Sequence, residues 1–144
     1  RLNYAVEMRY GVLVDIAAKV NSGVPVDLSM GDFNVIWQGD MNAAALLSLS
    51  QCSSPAKVLN LSGPETLSTR QVALAFGKLL GKAPVFTGAE APTALLNNAS
   101  RAHALFGKPR VTPDRMMRWI AGWVSHGNRL LNKPTHFEVR DGKY

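Results

Sequence analysis

The sequence predicts an α/β protein in which short strands alternate with about five helices. Its 144 residues, 47% hydrophobic and 18% charged, have the composition of an ordinary globular domain. Short runs of β-branched and aromatic residues end at Gly, Pro or Asn, and apolar residues recur between them at helical spacing. The predicted strands are too short and too few for a complete doubly wound sheet. We therefore expect only part of such a fold.

Residues 33–47 show the clearest pattern of secondary structure in the sequence. An apolar run over 33–37 stops at Gln38-Gly39-Asp40, and alanines and leucines then recur at helical spacing. This pattern predicts a short strand, a tight turn and a helix. We expect Asp40 to be the N-cap residue, because its carboxylate can accept hydrogen bonds from unpaired first-turn amides.

The first 28 residues predict two strands flanking a helix. The chain starts without Met and residues 1–5 have the character of a strand already in progress, so we interpret it as a fragment. Apolar residues at helical spacing predict a helix over 12–20, with Gly23 at its C′ position. Residues 24–28 alternate as a short strand that Pro25 restricts to a sheet edge.

The middle of the chain contains the strongest helix-start signal. Residues 58–61 predict a short strand, and Ser68 with Gln71 forms a capping box that begins a helix ending at Gly81. Residues 83–86 predict a further extended piece.

The last third predicts two helices and a tail. Residues 98–106 form a short helix that Gly107 ends, and Thr112-Pro113 begins the last helix, which Gly127 closes. Residues 132–144 are polar and basic, and we expect them to be poorly ordered.

The net charge of +6 is unevenly distributed. Residues 1–100 hold seven basic and seven acidic side chains, whereas the last 44 hold nine basic and three acidic ones. Trp119 and Trp123 lie one helical turn apart beside Arg115 and Arg118, an arrangement that a nucleic-acid surface can also have. A buried tryptophan stripe with solvated arginines gives the same pattern and is the interpretation we favour. We predict no nucleic-acid partner.

The residues alone predict neither a catalytic nor a metal site. Cys52 is the only cysteine, and His103, His126 and His136 lack metal-ligand spacing; His126, near a helix end, suits the helix dipole. Gly-x-Ser-x-Gly, Gly-x-Gly-x-x-Gly and P-loop motifs do not occur in the sequence. No apolar run approaches the length of a membrane span. We expect a cytoplasmic protein without a membrane partner.

The order in which the sequence segments follow one another is more specific than any single motif. The motifs follow one another as Arg1-Leu2-Asn3-Tyr4-Ala5, Arg9-Tyr10-Gly11, the strand into Gln38-Gly39-Asp40, Val58-Leu59-Asn60-Leu61-Ser62-Gly63 with the helix capped at Ser68, and Leu105-Phe106-Gly107-Lys108-Pro109. This order resembles the C-terminal, substrate-binding part of the extended short-chain dehydrogenase/reductases, the NAD-dependent epimerase/dehydratase family. The resemblance covers residues 1–126 and leaves 127–144 as a basic C-terminal tail.

The resemblance implies an NAD(P)-dependent enzyme from which the glycine-rich cofactor half is missing. In that family the missing half holds NAD or NADP and a catalytic Tyr-x-x-x-Lys pair, neither of which is found in this sequence. The fragment by itself is then expected to be inactive and without catalytic residues. The parent protein is expected to be a homodimer acting on a sugar nucleotide or a related small polar substrate.

The resemblance also assigns site residues. The substrate-binding residues are Asn3, Arg9, Tyr10 and Phe33, and the residues near the cofactor are Tyr4, Ala5 and Val6. The alternative for Asn3 is that it only caps a loop. Phe33 and Asn34 stand where sugar-nucleotide enzymes usually place an arginine for the diphosphate, and a phenyl ring cannot replace that charge. Arg9 is the substitute cation that we consider.

This departure keeps a second function open, namely a non-catalytic NAD(P)-sensing or scaffold protein of the same fold. We also expect the isolated fragment to aggregate or unfold readily, because a cut through a parallel sheet leaves an unpaired edge and an exposed apolar face.

Overall fold

The computed structural model describes residues 1–139 and has the predicted α/β architecture with five helices. The helices are α1 (Val12–Ser22), α2 (Gln38–Leu47), α3 (Thr69–Leu80), α4 (Ser100–Phe106) and α5 (Pro113–Ser125), and a 3-10 helix over Ser48–Gln51 extends α2. The predicted helix ends are confirmed at Gly23 and Gly81, which have φ of 73° and 66°. Glycine adopts this left-handed conformation without steric cost, so both helices end where the sequence indicates.

The six strands are two residues long and pair in three places. The strands are β1 (Ala5–Val6), β2 (Val26–Asp27), β3 (Asp32–Phe33), β4 (Ile36–Trp37), β5 (Leu67–Ser68) and β6 (Phe86–Thr87). β1 pairs with β4 and β2 with β6, both parallel, whereas β3 and β5 are antiparallel. Ahead of β1, residues 1–3 pair in parallel with residues 59–61 through three backbone hydrogen bonds of 2.7–3.2 Å.

Two strand predictions need correction. The predicted strand over 33–37 is divided into β3 and β4 by Asn34 and Val35. It divides because the Asn34 carboxamide bonds to residues outside any strand, and the Val35 carbonyl accepts from the amide of Gly63 at 2.9 Å. The predicted strand over 58–61 reduces to one bridge, between Leu61 and Leu2.

The prediction that Asp40 caps a helix is also wrong. α2 begins at Gln38, its N-cap residue is Trp37, and no side chain caps it. Asp40 lies in the first helical turn, where its charge suits the helix dipole. Its Oδ2 accepts from the backbone amide of Val111 at 2.9 Å, so the carboxylate connects α2 to the segment that precedes α5.

The core lies where α1 packs against α3 and α5. One face of α1 is buried along its length, and Phe76 from α3 and Ile120 from α5 are each 0% exposed. Phe33 enters this core from β3 and is also 0% exposed.

The polar segment after α5 packs on this core as far as the structure describes it. Phe137 is 2% exposed and its ring meets that of Phe33 edge to face at 6.0 Å. Asp15 of α1 accepts from the amide and the hydroxyl of Thr135 at 2.8 and 2.7 Å. The prediction of a poorly ordered tail is therefore wrong for residues 132–139, and residues 140–144 lie outside the described part. The prediction failed because a single Phe among polar residues does not indicate a core contact.

The tryptophans of α5 do not form the buried stripe that we favoured. Trp119 is 41% exposed and meets Trp37 edge to face at 5.3 Å. Trp123 donates from Nε1 to the carbonyl of Arg129 at 3.2 Å. His126 is placed as predicted, at the end of α5, with Nδ1 2.7 Å from the carbonyl of Gly122. Between residues 1 and 139 no helix combines the length and apolarity needed to cross a bilayer.

Thr112 gives a direct test of the start of α5. Its Oγ1 accepts from the amide of Arg115 at 3.3 Å, and Pro113 occupies the first helical position. Replacement of Thr112 by alanine is expected to lower the free energy of unfolding by about 1 kcal/mol, because one first-turn amide loses its acceptor. Urea unfolding measures this, with Thr112→Ser as the control that keeps the hydroxyl. A loss as large for serine as for alanine would contradict the cap.

Candidate functional site

Five asparagines line a groove formed by two adjoining cavities. A cavity of about 280 Å³ is lined by Asn3, Asn60, Asn97 and Asn98 among others. A second, of about 340 Å³, is lined by Asn34 and shares Leu96, Asn97 and Asn98 with the first. We call the two together the asparagine groove. It brings together side chains from the segment ahead of β1, the segment that pairs with it, the β3–β4 junction and the loop before α4.

Hydrogen bonds to the backbone of Asn97 fix the side chain of Asn34 in the groove. It is 6% exposed, its Nδ2 donates to the carbonyl of Asn97 at 2.8 Å, and its Oδ1 accepts from the amide of Asn97 at 3.2 Å. A backbone amide can only donate and a carbonyl only accept, so these two bonds settle which end of the Asn34 carboxamide is oxygen.

The orientation of Asn3 follows from that of Asn34. Asn34 Oδ1 also accepts from Nδ2 of Asn3 at 2.9 Å, so the Asn3 side chain directs its amide nitrogen to Asn34. The backbone amide of Asn3 donates to the carbonyl of Leu61 at 3.2 Å. Asn3 is thereby held from both its backbone and its side chain at the wall of the cavity.

A buried acceptor in the groove has no partner. Oδ1 of Asn97 is buried and receives no hydrogen bond from any described residue, while its Nδ2 lies 3.5 Å from the carbonyl of Leu61. Buried polar atoms in folded proteins are nearly always paired, so this oxygen is an exception among the described residues.

The loop that carries Asn97 is anchored upstream by an ion pair. Nε of Arg70 donates to Oε1 of Glu90 at 2.6 Å, and the Arg70 guanidinium lies 4.8 Å from the ring centroid of Phe86. The hydrogen bond from Arg70 lowers the pKa of Glu90 below its ordinary value. Protonation of Glu90 at acid pH would release this pair, so the anchor holds at neutral pH and is lost as the pH falls through the lowered pKa.

The residues predicted to lie near the cofactor form β1 and its approach. Tyr4 has φ of 42°, a conformation that non-glycine residues adopt rarely, and its carbonyl accepts from the amide of Ile36 at 3.2 Å. Val6 is 0% exposed, and a Cβ at Gly11 would lie only 3.0 Å from Cγ2 of Val6. Tyr4 and Ala5 are partly exposed, whereas Val6 is buried.

The other predicted substrate-binding residues do not line the groove. Nε of Arg9 donates to Oε1 of Glu7 at 3.0 Å, so its charge is already paired, and its carbonyl accepts from the amide of Leu131 at 3.1 Å. Tyr10 is half-buried and pairs through its backbone with Glu7. Phe33 is a core residue, contrary to a substrate-facing position, because a side chain with 0% exposure cannot reach a ligand. The structure thus places Asn3 in the groove and the other three elsewhere.

Sequence reasoning missed Asn34, Asn97 and His103. His103 lines the second cavity and its Nε2 lies 2.8 Å from the carbonyl of Ser62, which makes Nε2 the protonated nitrogen. A polar residue inside an apolar strand, as Asn34 is, was the signal available in the sequence. Nothing local marked the loop asparagines.

Apart from Arg1 and His103, the described residues that line the groove carry no ionisable side chain. Carboxamides offer both donors and acceptors without charge, so the groove suits a hydroxylated or amide-bearing ligand better than a diphosphate. Residues 1–139 contain no cluster of three or more His, Cys, Asp or Glu that would hold a metal ion. The geometry supports binding and orientation of a ligand.

Comparison with solved structures identifies the architecture. UDP-glucose 4-epimerase from Thermus thermophilus in complex with NAD matches with a TM-score of 0.61 and 22% identity, covering 84% of this chain and 43% of that one. This chain therefore shares its fold with part of that structure. The epimerase Mth375 from Methanothermobacter thermautotrophicus matches with a TM-score of 0.67 and 10% identity, over 88% of this chain and 42% of that one. RMD from Pseudomonas aeruginosa complexed with NADPH matches with a TM-score of 0.62 and 18% identity, over 81% and 43%.

These matches show a shared fold and nothing finer. No family model matches the sequence, and neither does any curated protein. The chain spans less than half the length of each of these three structures. The predicted fold class, an α/β protein with a partial short-chain dehydrogenase/reductase fold, is thereby confirmed.

Proposed function

We propose that this chain is the C-terminal, substrate-binding portion of an NAD(P)-dependent epimerase, dehydratase or reductase. The observation that supports it most is the asparagine groove, in which the backbone of Asn97 orients Asn34, and Oδ1 of Asn34 accepts from Nδ2 of Asn3. Asn3 is the residue to which the family resemblance assigns substrate contact. The solved structures of this fold include enzymes described with NAD and with NADPH.

The proposal does not assign a complete dinucleotide site to this chain. The sequence has no glycine-rich phosphate loop, and the backbone at Val6 is closely approached by Gly11. A nicotinamide cofactor supplies hydride transfer to such enzymes. In this proposal the cofactor is held by additional sequence of the parent polypeptide, and this chain positions the substrate against it.

Phe33 and Arg9 limit the class of substrate that the proposal allows. Phe33 is uncharged and buried, and the charge of Arg9 is paired with Glu7. Arg1 is the only arginine or lysine among the described residues that line the groove. A small polar substrate with several hydroxyl groups therefore fits this site better than a sugar nucleotide that needs a clamped diphosphate.

The experiment is to extend the coding sequence upstream and assay the encoded protein for NAD(P)-dependent turnover. The proposal expects a glycine-rich βα turn and a Tyr-x-x-x-Lys pair within the preceding ~200 residues, about the length of one large domain. An upstream part that keeps the glycines but lacks the tyrosine, with no turnover, would favour the non-catalytic NAD(P)-sensing protein. Absence of both motifs would overturn the proposal.

A further inference from the structure

A cavity of about 320 Å³ between α2 and α4 is separate from the asparagine groove, with which it shares only His103 among the described lining residues. We call it the α2–α4 cavity. Ala44 and Leu47 line it from α2, and Ala102 and Phe106 line it from α4. Ligand pockets in proteins typically measure about 300–1,000 Å³ and have mainly apolar walls with a few polar groups. A volume near the lower limit fits a small ligand with an apolar body.

Two unpaired cations line the same cavity. Lys108 and Arg110 follow the end of α4, are exposed, and belong to none of the ion pairs found among residues 1–139. The cavity also has one carboxylate, that of Asp40, but its Oδ2 already accepts from the amide of Val111 at 2.9 Å. The charge that remains for a ligand is therefore positive, and it suits an anionic group.

Hydrogen bonds hold both sides of the α2–α4 cavity in place. The bond from Val111 to Asp40 connects the chain directly after Arg110 to α2. Nε2 of His103 donates to the carbonyl of Ser62 at 2.8 Å and so connects α4 to the segment that precedes α3. Walls that are already fixed need little further ordering when a ligand binds, so less of the binding energy is lost.

A hydroxyl group without a partner lies at the inner end of the cavity. Ser62 lines the cavity and is 1% exposed, whereas the two cations lie at its exposed mouth. Oγ of Ser62 has no hydrogen-bond partner among the described residues, although buried hydroxyl groups are nearly always paired. A serine side chain can turn between staggered rotamers to meet a new partner. A ligand hydroxyl at the inner end would satisfy this group.

We propose that the α2–α4 cavity is a binding site for a small hydroxylated aromatic carboxylate. The ring lies between α2 and Phe106, the carboxylate faces Lys108 and Arg110, and the hydroxyl meets Oγ of Ser62. Phe106 favours an aromatic body because contacts between rings add to the gain from apolar burial. The inference goes beyond the proposed function and uses none of the asparagines of the groove, so it does not depend on that function.

Isothermal titration calorimetry with three probes tests the site in the protein encoded by the complete reading frame. The first probe, para-hydroxybenzoate, should bind saturably with a Kd in the millimolar range or below, as is usual for a ligand of this size. The second, para-hydroxybenzamide, has the same shape without the charge, and the third, benzoate, lacks the hydroxyl. Each of these two should bind about fivefold more weakly or worse, because each loses one polar contact.

Substitutions of the polar groups locate the binding. At low salt, Lys108→Gln with Arg110→Gln should lower the affinity for para-hydroxybenzoate about tenfold or more and leave that for the amide nearly unchanged. Lys78→Gln with Arg129→Gln removes the same charge at exposed positions outside the cavity and should change neither affinity more than about twofold. Ser62→Ala should remove the preference for para-hydroxybenzoate over benzoate without lowering the Tm, since its Oγ has no partner to lose.

A substitution that fills the cavity tests the apolar wall. Ala44→Phe should abolish binding of all three probes, because the added ring occupies the space between α2 and α4. Ala104→Phe adds the same ring at an exposed position of α4 that does not line the cavity, and it should keep the binding.

Four results would overturn the proposal. They are no saturable binding of para-hydroxybenzoate in the millimolar range, equal affinity for the two acids, the same loss in the charge variant as in its control, and binding that persists in Ala44→Phe. Should one variant fail to fold, the others still decide the question. A protein that binds para-hydroxybenzoate as expected but no NAD(P) would count against the proposed function alone, so the two failures are distinguishable.

Discussion

Replacement of Phe137 by alanine is expected to lower the free energy of unfolding by about 3–5 kcal/mol, the usual cost of removing a buried phenyl ring. Phe137 is 2% exposed and contacts Phe33, so alanine would leave a cavity beside a core residue that is itself fully buried. Urea unfolding followed by tryptophan fluorescence measures it.

Val139 provides the matched control two residues further on. It is 42% exposed, so Val139→Ala should change the free energy of unfolding by no more than about 0.5 kcal/mol. A loss below about 1 kcal/mol for Phe137→Ala would show that the segment after α5 is peripheral. In that case the packing of residues 132–139 on α1 would carry little of the stability.

Replacement of Asn34 by leucine is expected to lower the free energy of unfolding by about 2–4 kcal/mol. Leucine is close in size but cannot bond, so the amide and carbonyl of Asn97 and Nδ2 of Asn3 would all lose their partner at a nearly buried position. Each unsatisfied buried group costs about 1–3 kcal/mol, partly relieved where water enters the groove. Hydrogen exchange should show a faster-exchanging Asn97 amide.

Asn60 is the matched control for this prediction. It is half-buried and makes one side-chain bond, from Nδ2 to the carbonyl of Asn98 at 3.1 Å, so Asn60→Leu should cost about 1 kcal/mol or less. An Asn97 amide that exchanges at the same rate in Asn34→Leu as in the unsubstituted chain would contradict the account of the groove. It would mean that the loop before α4 is held by other contacts.

The ends of the helices could be predicted from the sequence because local interactions determine them. Ser68 accepts from the amide of Gln71 at 3.4 Å and Thr112 from that of Arg115, as the capping patterns predict. The two glycines that end α1 and α3 adopt left-handed conformations at the predicted positions. These signals need only residues within one helical turn, so a single sequence contains them in full.

The errors arise where partners are distant in the chain. Asp40 bonds 71 residues away to Val111, and Phe137 contacts Phe33, more than a hundred residues earlier. The strand over 33–37 divides because Asn34 finds its partners at residues 3 and 97. Such pairings depend on how the elements pack, and nothing in the local pattern indicates them.

The candidate site was predictable only at one of its residues. Asn3 follows from the family resemblance and lies in the groove, while Asn34 and Asn97, which orient it, come from segments that carry no motif. Phe33 was predicted as a substrate residue because of its position relative to Asp40, and it belongs to the core instead. Its neighbour Asn34 is the residue that reaches the groove.

A titration with NADH and NADPH tests the central claim most directly. The protein encoded by the complete reading frame should bind one of them with a stoichiometry near one per chain, and the 144-residue chain should bind neither, because its described residues lack a phosphate cradle. Isothermal titration calorimetry of the two proteins side by side measures this. Equal binding by both proteins, or binding by neither, would contradict the account that this chain is the substrate-binding portion of a larger NAD(P)-dependent protein.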